Sequence, residues 1–142
     1  MPLATKPSVV TQAIVDVLET NKVALGLAEI YYGPQGLIPE FPAAEVSSLP
    51  MTREIKNIHQ YQLTLRSSVL ILFGKIQAVE TNTKGSEEKA EAVQDQLHLD
   101  NTLDGNVLFG YITRIEPGVA IRKATPLRAT RLIFEGISRE AF

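Results

Sequence analysis

A chain of 142 residues with 44% hydrophobic and 21% charged residues has the composition of one folded domain, not of a disordered tail. Four Tyr, five Phe and no Trp leave few stacking faces, which disfavours carbohydrate binding and single-strand nucleic-acid platforms. A net charge of −2 argues against nucleic-acid binding by bulk electrostatics, and the absence of cysteine excludes disulfides and Cys-containing zinc sites.

The N-terminal residues carry a single Lys6 and no apolar h-region, and no apolar run approaches membrane-spanning length. The expectation is a soluble protein that works inside a cell or in a particle assembled there. Met1 to Pro7 reads as a loose arm (1–7), with Ser8 as the candidate cap of a first helix. Val9, Val10, Ala13, Ile14, Val17 and Leu18 form its apolar face, Thr11, Gln12, Asp16 and Glu19 its polar side, and it ends near Asn21.

Val23 to Tyr32 alternates as a strand would, and the GPQG of 33–36 closes it with a turn. No Lys-Ser/Thr pair follows those glycines, so they do not form a phosphate loop. With Pro39, Pro42 and Pro50, residues 33–57 read as a long connection containing one short edge strand, Ala43 to Val46.

His59 to Phe73 is the longest strand-like run. His59, Tyr61, Leu63, Leu65, Val69, Ile71 and Phe73 share one face, and Gln60, Gln62, Thr64 and Arg66 the other. Leu70 and Leu72 make the second half apolar on both faces, as expected of a central strand near a helix. Residues 74–85 then read as a surface loop.

Ser86 is the candidate cap of a second helix, with Glu87 and Glu88 near its positive end. Ala90, Val93 and Leu97 make only a narrow apolar stripe, so this helix should lie on a sheet with most of its surface wet. Asp100 to Asn106 forms the turn out. Val107 to Ile115 alternates, Glu116-Pro117-Gly118 predicts a tight reversal, and Thr125-Pro126 a second one before a last strand, Leu127 to Ile137. The fold class expected is α+β: a single domain, a mainly antiparallel twisted sheet, with an N-terminal helix and a second helix packed on it.

No catalytic constellation emerges. His59 and His98 lack further ligands, no G-x-S-x-G elbow occurs, and the acids concentrate on a solvated helix. Cofactors and metals are therefore expected to be none. Charge is the feature that remains. Residues 80–104 hold seven acids against Lys84 and Lys89, a net of −5, and residues 111–142 hold six bases against three acids, a net of +3. Glu87, Glu88, Glu91 and Asp95 on one flank, and Arg114, Arg122, Lys123, Arg128 and Arg131 on the other, are the candidate interface residues. The same pattern also reads as two solvated faces, or, for the arginines, as a nucleic-acid patch without interleaved aromatics.

The order of elements, with D-x-x-L-x-G-x-V at Asp100, Leu103, Gly105 and Val107 between the second helix and the last strands, resembles the tail terminator (tail completion) proteins of long-tailed bacteriophages. The resemblance spans about Ser8 to Ile137. It implies a structural virion protein without catalysis, a homo-hexameric ring. That ring caps the tail tube protein, stops tube growth and joins the head-completion or neck protein. DNA would pass through it without sequence-specific contact, and no membrane is involved. The implied location is the head–tail junction of a virion assembled in the host cytoplasm. A related neck or tail-tube component is the near alternative, and a small-molecule- or nucleic-acid-binding α+β domain the distant one.

Overall fold

The alternation expected from His59 to Phe73 becomes a strand from Gln60 to Lys75, with His59 in the turn before it, and most of the other elements pair with it or pack on it. In the computed structural model, which describes residues 3–36, 38, 40–75 and 83–141, the chain runs α1 (Pro7–Thr20), α2 (Lys22–Leu25), β1 (Glu29–Tyr32), β2 (Ala43–Ser48), β3 (Thr52–Asn57), β4 (Gln60–Lys75), α3 (Thr83–His98), β5 (Phe109–Arg122) and β6 (Thr125–Ala141). One sheet has the order β1-β2-β4-β6-β5. β2 and β3 share one side of β4, β2 against Ser67 to Leu72 and β3 against Gln60 to Thr64. Only β1 and β2 run parallel. This is the α+β architecture expected, a mostly antiparallel sheet with an N-terminal helix.

The apolar face of β4 is the floor of the core. Leu63, Leu65, Val69 and Ile71 are fully buried, together with Leu132 and Phe134 of the neighbouring β6. Val10, Ile14 and Leu18 of α1 and Ala90, Val93 and Leu97 of α3 cover them. Both helices therefore lie on the same face of the sheet. Each large aliphatic side chain so buried contributes roughly 1.5–3 kcal/mol. Thr11, expected on the wet side of α1, is also buried, and its hydroxyl bonds Ser48 Oγ at 2.7 Å and Ser67 Oγ at 3.0 Å. Three hydroxyls satisfy one another there, which is what allows them inside an apolar layer.

Several boundaries differ from the sequence expectation, each for a local reason. α1 is capped at Lys6 without a side-chain bond, and Pro7 takes the first helical position, where its missing N–H costs nothing. The arm ahead of it is docked from Ala4 onward: Ala4 is buried, its N–H reaches Asn106 O, and Ser138 donates to its carbonyl. Val23 to Leu25 are not strand but the short turn α2, ended by Gly26 in the left-handed region at φ 68°. β2 is no edge strand, since β1 covers its outer side. Residues 33–57 are less of a loop than expected, because they contain β2 and β3. Of the loop expected at 74–85, Gly74 and Lys75 finish β4 and Thr83 begins α3, while residues 76–82 lie outside those described. Ser86 thus stands inside α3, and Glu87 and Glu88 come after its first turn.

The largest departure is in the last third. β5 runs straight through Glu116-Pro117-Gly118, which pair with Arg131, Thr130 and Ala129 of β6. Proline is tolerated because β5 is an edge strand. The only reversal is the two-residue turn Lys123-Ala124, both at positive φ (48° and 62°), the pattern that matches strand twist in a tight hairpin. Two expected reversals are thus one long hairpin. Near its base the ring of Phe134 lies over Gly110, where an added Cβ would stand 2.3 Å from the ring. We expect Gly110→Ala to cost about 1–3 kcal/mol in urea denaturation, because the overpacked ring has to leave its rotamer. Unchanged stability would contradict that packing.

Candidate functional site

The nine charged candidates do not form one face. Glu87, Glu91 and Asp95 follow one another at four-residue spacing along the solvent side of α3, and Glu88 is exposed beside them. The basic residues divide by strand register. Arg114, Arg122 and Arg131 belong to the helix-free side of the β5–β6 hairpin, Arg128 to the opposite side beside Val119, and Lys123 to the turn itself. Glu80, counted in the acidic flank, lies outside the described residues.

These cations differ in what holds them. Arg114 is exposed and loosely paired with Glu116 at 3.6 Å, a contact worth little in water. Arg122 is a structural residue. Its Nη2 and Nε donate to Oε1 and Oε2 of Glu45, at 2.5 and 3.4 Å, and Glu45 is only 2% exposed. The same carboxylate accepts the N–H of Gln35 at 2.9 Å. One buried acid on β2 thereby fixes both the loop after β1 and the distal part of the hairpin. Around it Ile38, Ala43, Leu72, Leu127 and Ala129 form a second, smaller core on the helix-free face. Nearby, Tyr31 has its pKa raised, first by burial and then by Glu29, Glu40 and Glu45.

Glu45 escapes the sequence pattern because an acid within AAEVSS looks like the wet side of an edge strand. The available signal is that it is the single charge in an otherwise small and apolar run. Elsewhere on the helix-free face Arg66 bonds Glu135 at 2.8 Å directly across β4 and β6.

The resemblance pattern at Asp100 to Val107 is a built turn. The Asp100 carboxylate accepts from Thr102 Oγ1 at 2.6 Å, Asp104 N at 2.9 Å and Thr102 N at 3.0 Å. Leu103, Asp104 and Gly105 all have positive φ, and the buried side chains of Leu103 and Val107 anchor the loop in the main core. His98 accepts the N–H of Ile112 at 2.9 Å, which ties the end of α3 to β5, so this histidine is structural. Between this turn and α1 lies a groove of about 310 Å³. Leu97 and Val17 line its apolar floor, and Asp16, Asp100 and Asp104 supply its charge.

Among the described residues no group of three His, Asp or Glu is arranged to hold a metal, and no helix is long and apolar enough to cross a membrane. The surfaces on offer are charged flanks, the groove, and exposed apolar residues of β5, where Phe109 and Tyr111 are about half exposed and Ile121 is 66% exposed.

No protein-family model matches the chain. No curated protein matches it either. Among solved structures it is similar to a chain from the virion of a native gene transfer agent particle, at 17% identity and a TM-score of 0.62, over 92% of this chain and 94% of that one. At such identity the likeness is one of fold, and it extends over nearly the whole of both chains.

Two measurements check the site. Arg122→Ala should cost about 3 kcal/mol in chemical denaturation, since it strands a buried carboxylate, and a loss below about 0.5 kcal/mol would show that Glu45 is not held as described. The three hydrogen bonds to Asp100, led by the Thr102 hydroxyl, lower its pKa below the ordinary aspartate value. Its stabilising effect is then fully present above that ordinary value and is lost as pH falls through the lowered folded value. The stability gap between wild type and Asp100→Asn should therefore narrow on acidification, and a gap independent of pH would refute the assignment.

Proposed function

We propose that this chain is a structural component of a virion, and more narrowly a tail terminator: a ring-forming protein that caps the tail tube, stops its growth and joins it to the neck of the head. The observation that carries this reading is the fold shared, end to end, with a chain of a gene transfer agent virion. The element order and the Asp100, Leu103, Gly105 and Val107 pattern support the narrower role. In this reading the work is done by shape and charge and no bond is made or broken.

A cyclic ring needs a contact between two unlike surfaces of the same chain. The acidic side of α3, with Glu87, Glu88, Glu91 and Asp95, is one such surface; the hairpin offers unlike ones, with Arg114 and Arg131 on its helix-free side, Arg128 on the opposite side and Lys123 at the turn. Arg122, engaged by Glu45, serves the hairpin's own structure instead. The net charge of −2 suits a lumen that lets DNA pass without gripping it. Partners on this reading are further copies of the chain, the tail tube protein and a head-completion or neck protein, in a virion put together in the host cytoplasm.

A neighbouring neck or tail-tube component would share the fold and differ in the ring it touches. The separating experiment mixes purified protein with tail tubes and with neck rings and views both by electron microscopy. A terminator decorates one tube end and halts elongation. A chain that binds only neck rings supports the alternative, and one that stays monomeric and binds neither overturns the virion reading.

A further inference from the structure

The distal half of the β5–β6 hairpin projects an apolar stripe that stays exposed among the described residues. Ile115, Val119 and Ile121 share the helix-side face of β5 and are 40%, 56% and 66% exposed. Helix α3 is tied to the base of the hairpin, where His98 accepts the N–H of Ile112. Exposed Pro126 lies across from Ile121, and Arg128 lies across from Val119. Lys123 forms the tip, and neither Lys123 nor Arg128 has an ion-pair partner among the described residues. The tip is thus apolar and basic.

The groove beside α1 has the opposite charge and the same apolarity. Val17 and Leu97 line it, Leu99 stands at its rim with 79% of its surface exposed, and Asp16, Asp100 and Asp104 are its charged residues, with no lysine or arginine among the lining. Asp100 is held ionised by its three hydrogen bonds. The groove and the tip also stand well apart. Along β6 the Phe134 position, level with Ile112 and the end of α3, is nine residues from Thr125 at the turn, about 30 Å at roughly 3.3 Å per residue. A chain cannot fill its own groove with its own tip.

We infer that the hairpin tip of one copy, through Val119, Ile121 and Lys123, seats in the Asp16–Leu99–Asp104 groove of the next copy. The contact is heterologous, so each copy offers one tip and one groove, and repetition closes a ring or extends a stack. This deepens the proposed function and rests on it for the identity of the occupant. It also specifies what the charged flanks leave open, because the acids it uses are Asp16, Asp100 and Asp104, not the α3 row.

The chain has no cysteine, so introduced thiols report the contact without background. Ile121→Cys and Leu99→Cys both fall on exposed side chains that folding does not require. Oxidising the double variant should give a ladder of disulfide-linked oligomers, and mixing the two single variants should give heterodimers only, because a disulfide needs Cα atoms within about 7 Å. In a second arm, Ile121→Asp should raise the concentration at half-assembly about tenfold or more, the loss expected from one buried aliphatic side chain.

Absence of the ladder, or homodimers of Ile121→Cys as the main product, overturns the tip-in-groove contact. Native mass spectrometry of the wild type then separates the two failures. Oligomers without the ladder leave the ring in place with a different interface, whereas a monomer that also ignores tail tubes removes both.

Discussion

The long antiparallel ladder between β4 and β6 is the constraint on which the rest of the molecule depends. It runs from Gln60 opposite Ala141 to Lys75 opposite Leu127, with a single irregularity between Leu72 and Gly74. Because side chains alternate along both strands, that register decides which residues enter the main core and which face away from the helices. A slip of one residue would bring Arg66 and Glu135 under α1 in place of Leu65 and Phe134. The register also sets the reach of the hairpin: β6 is held along its length by β4, so β5 can follow it past the end of the helical layer.

Two cores grow from this ladder. The larger lies under α1 and α3 and accounts for most of the buried aliphatic side chains. The smaller lies on the opposite face, where Leu72, Leu127 and Ala129 gather around the bridge from Glu45 to Arg122. The bridge is partly a matter of specificity, since a buried acid accepts few arrangements of its surroundings and each of its bonds orients a different segment. Through Glu45, Arg122 of the hairpin and Gln35 after β1 are both tied to β2.

The parts legible in the sequence are those where local pattern and tertiary context agree. β4 is readable from the alternation of its first half and the apolar second half. α1 and α3 are readable from apolar stripes most of whose members are buried, Val9 of α1 being exposed and Thr11 of its polar side buried. The parts that differ are those where context outweighs a local rule. Glu116-Pro117-Gly118 has turn chemistry, yet partners waiting on β6 keep it extended, while the true reversal falls on Lys123-Ala124, residues without a preference for positive φ. Val23 to Leu25 is too short an apolar run to distinguish helix from strand by period. For the candidate site, exposure of the α3 acids follows from their spacing, but the engagement of Arg122 depends on Glu45, 77 positions away in the chain, and no local pattern carries such a pairing.

Pro117 has a further consequence. It interrupts the open margin of the sheet midway along β5, removing one of the backbone donors that a foreign strand would require. An open strand margin carries a standing risk of fibril growth whenever copies of a chain meet. With the backbone route interrupted at that point, a contact made along this margin has to draw on side chains, whose recognition is selective and saturable where cross-strand zippering is neither.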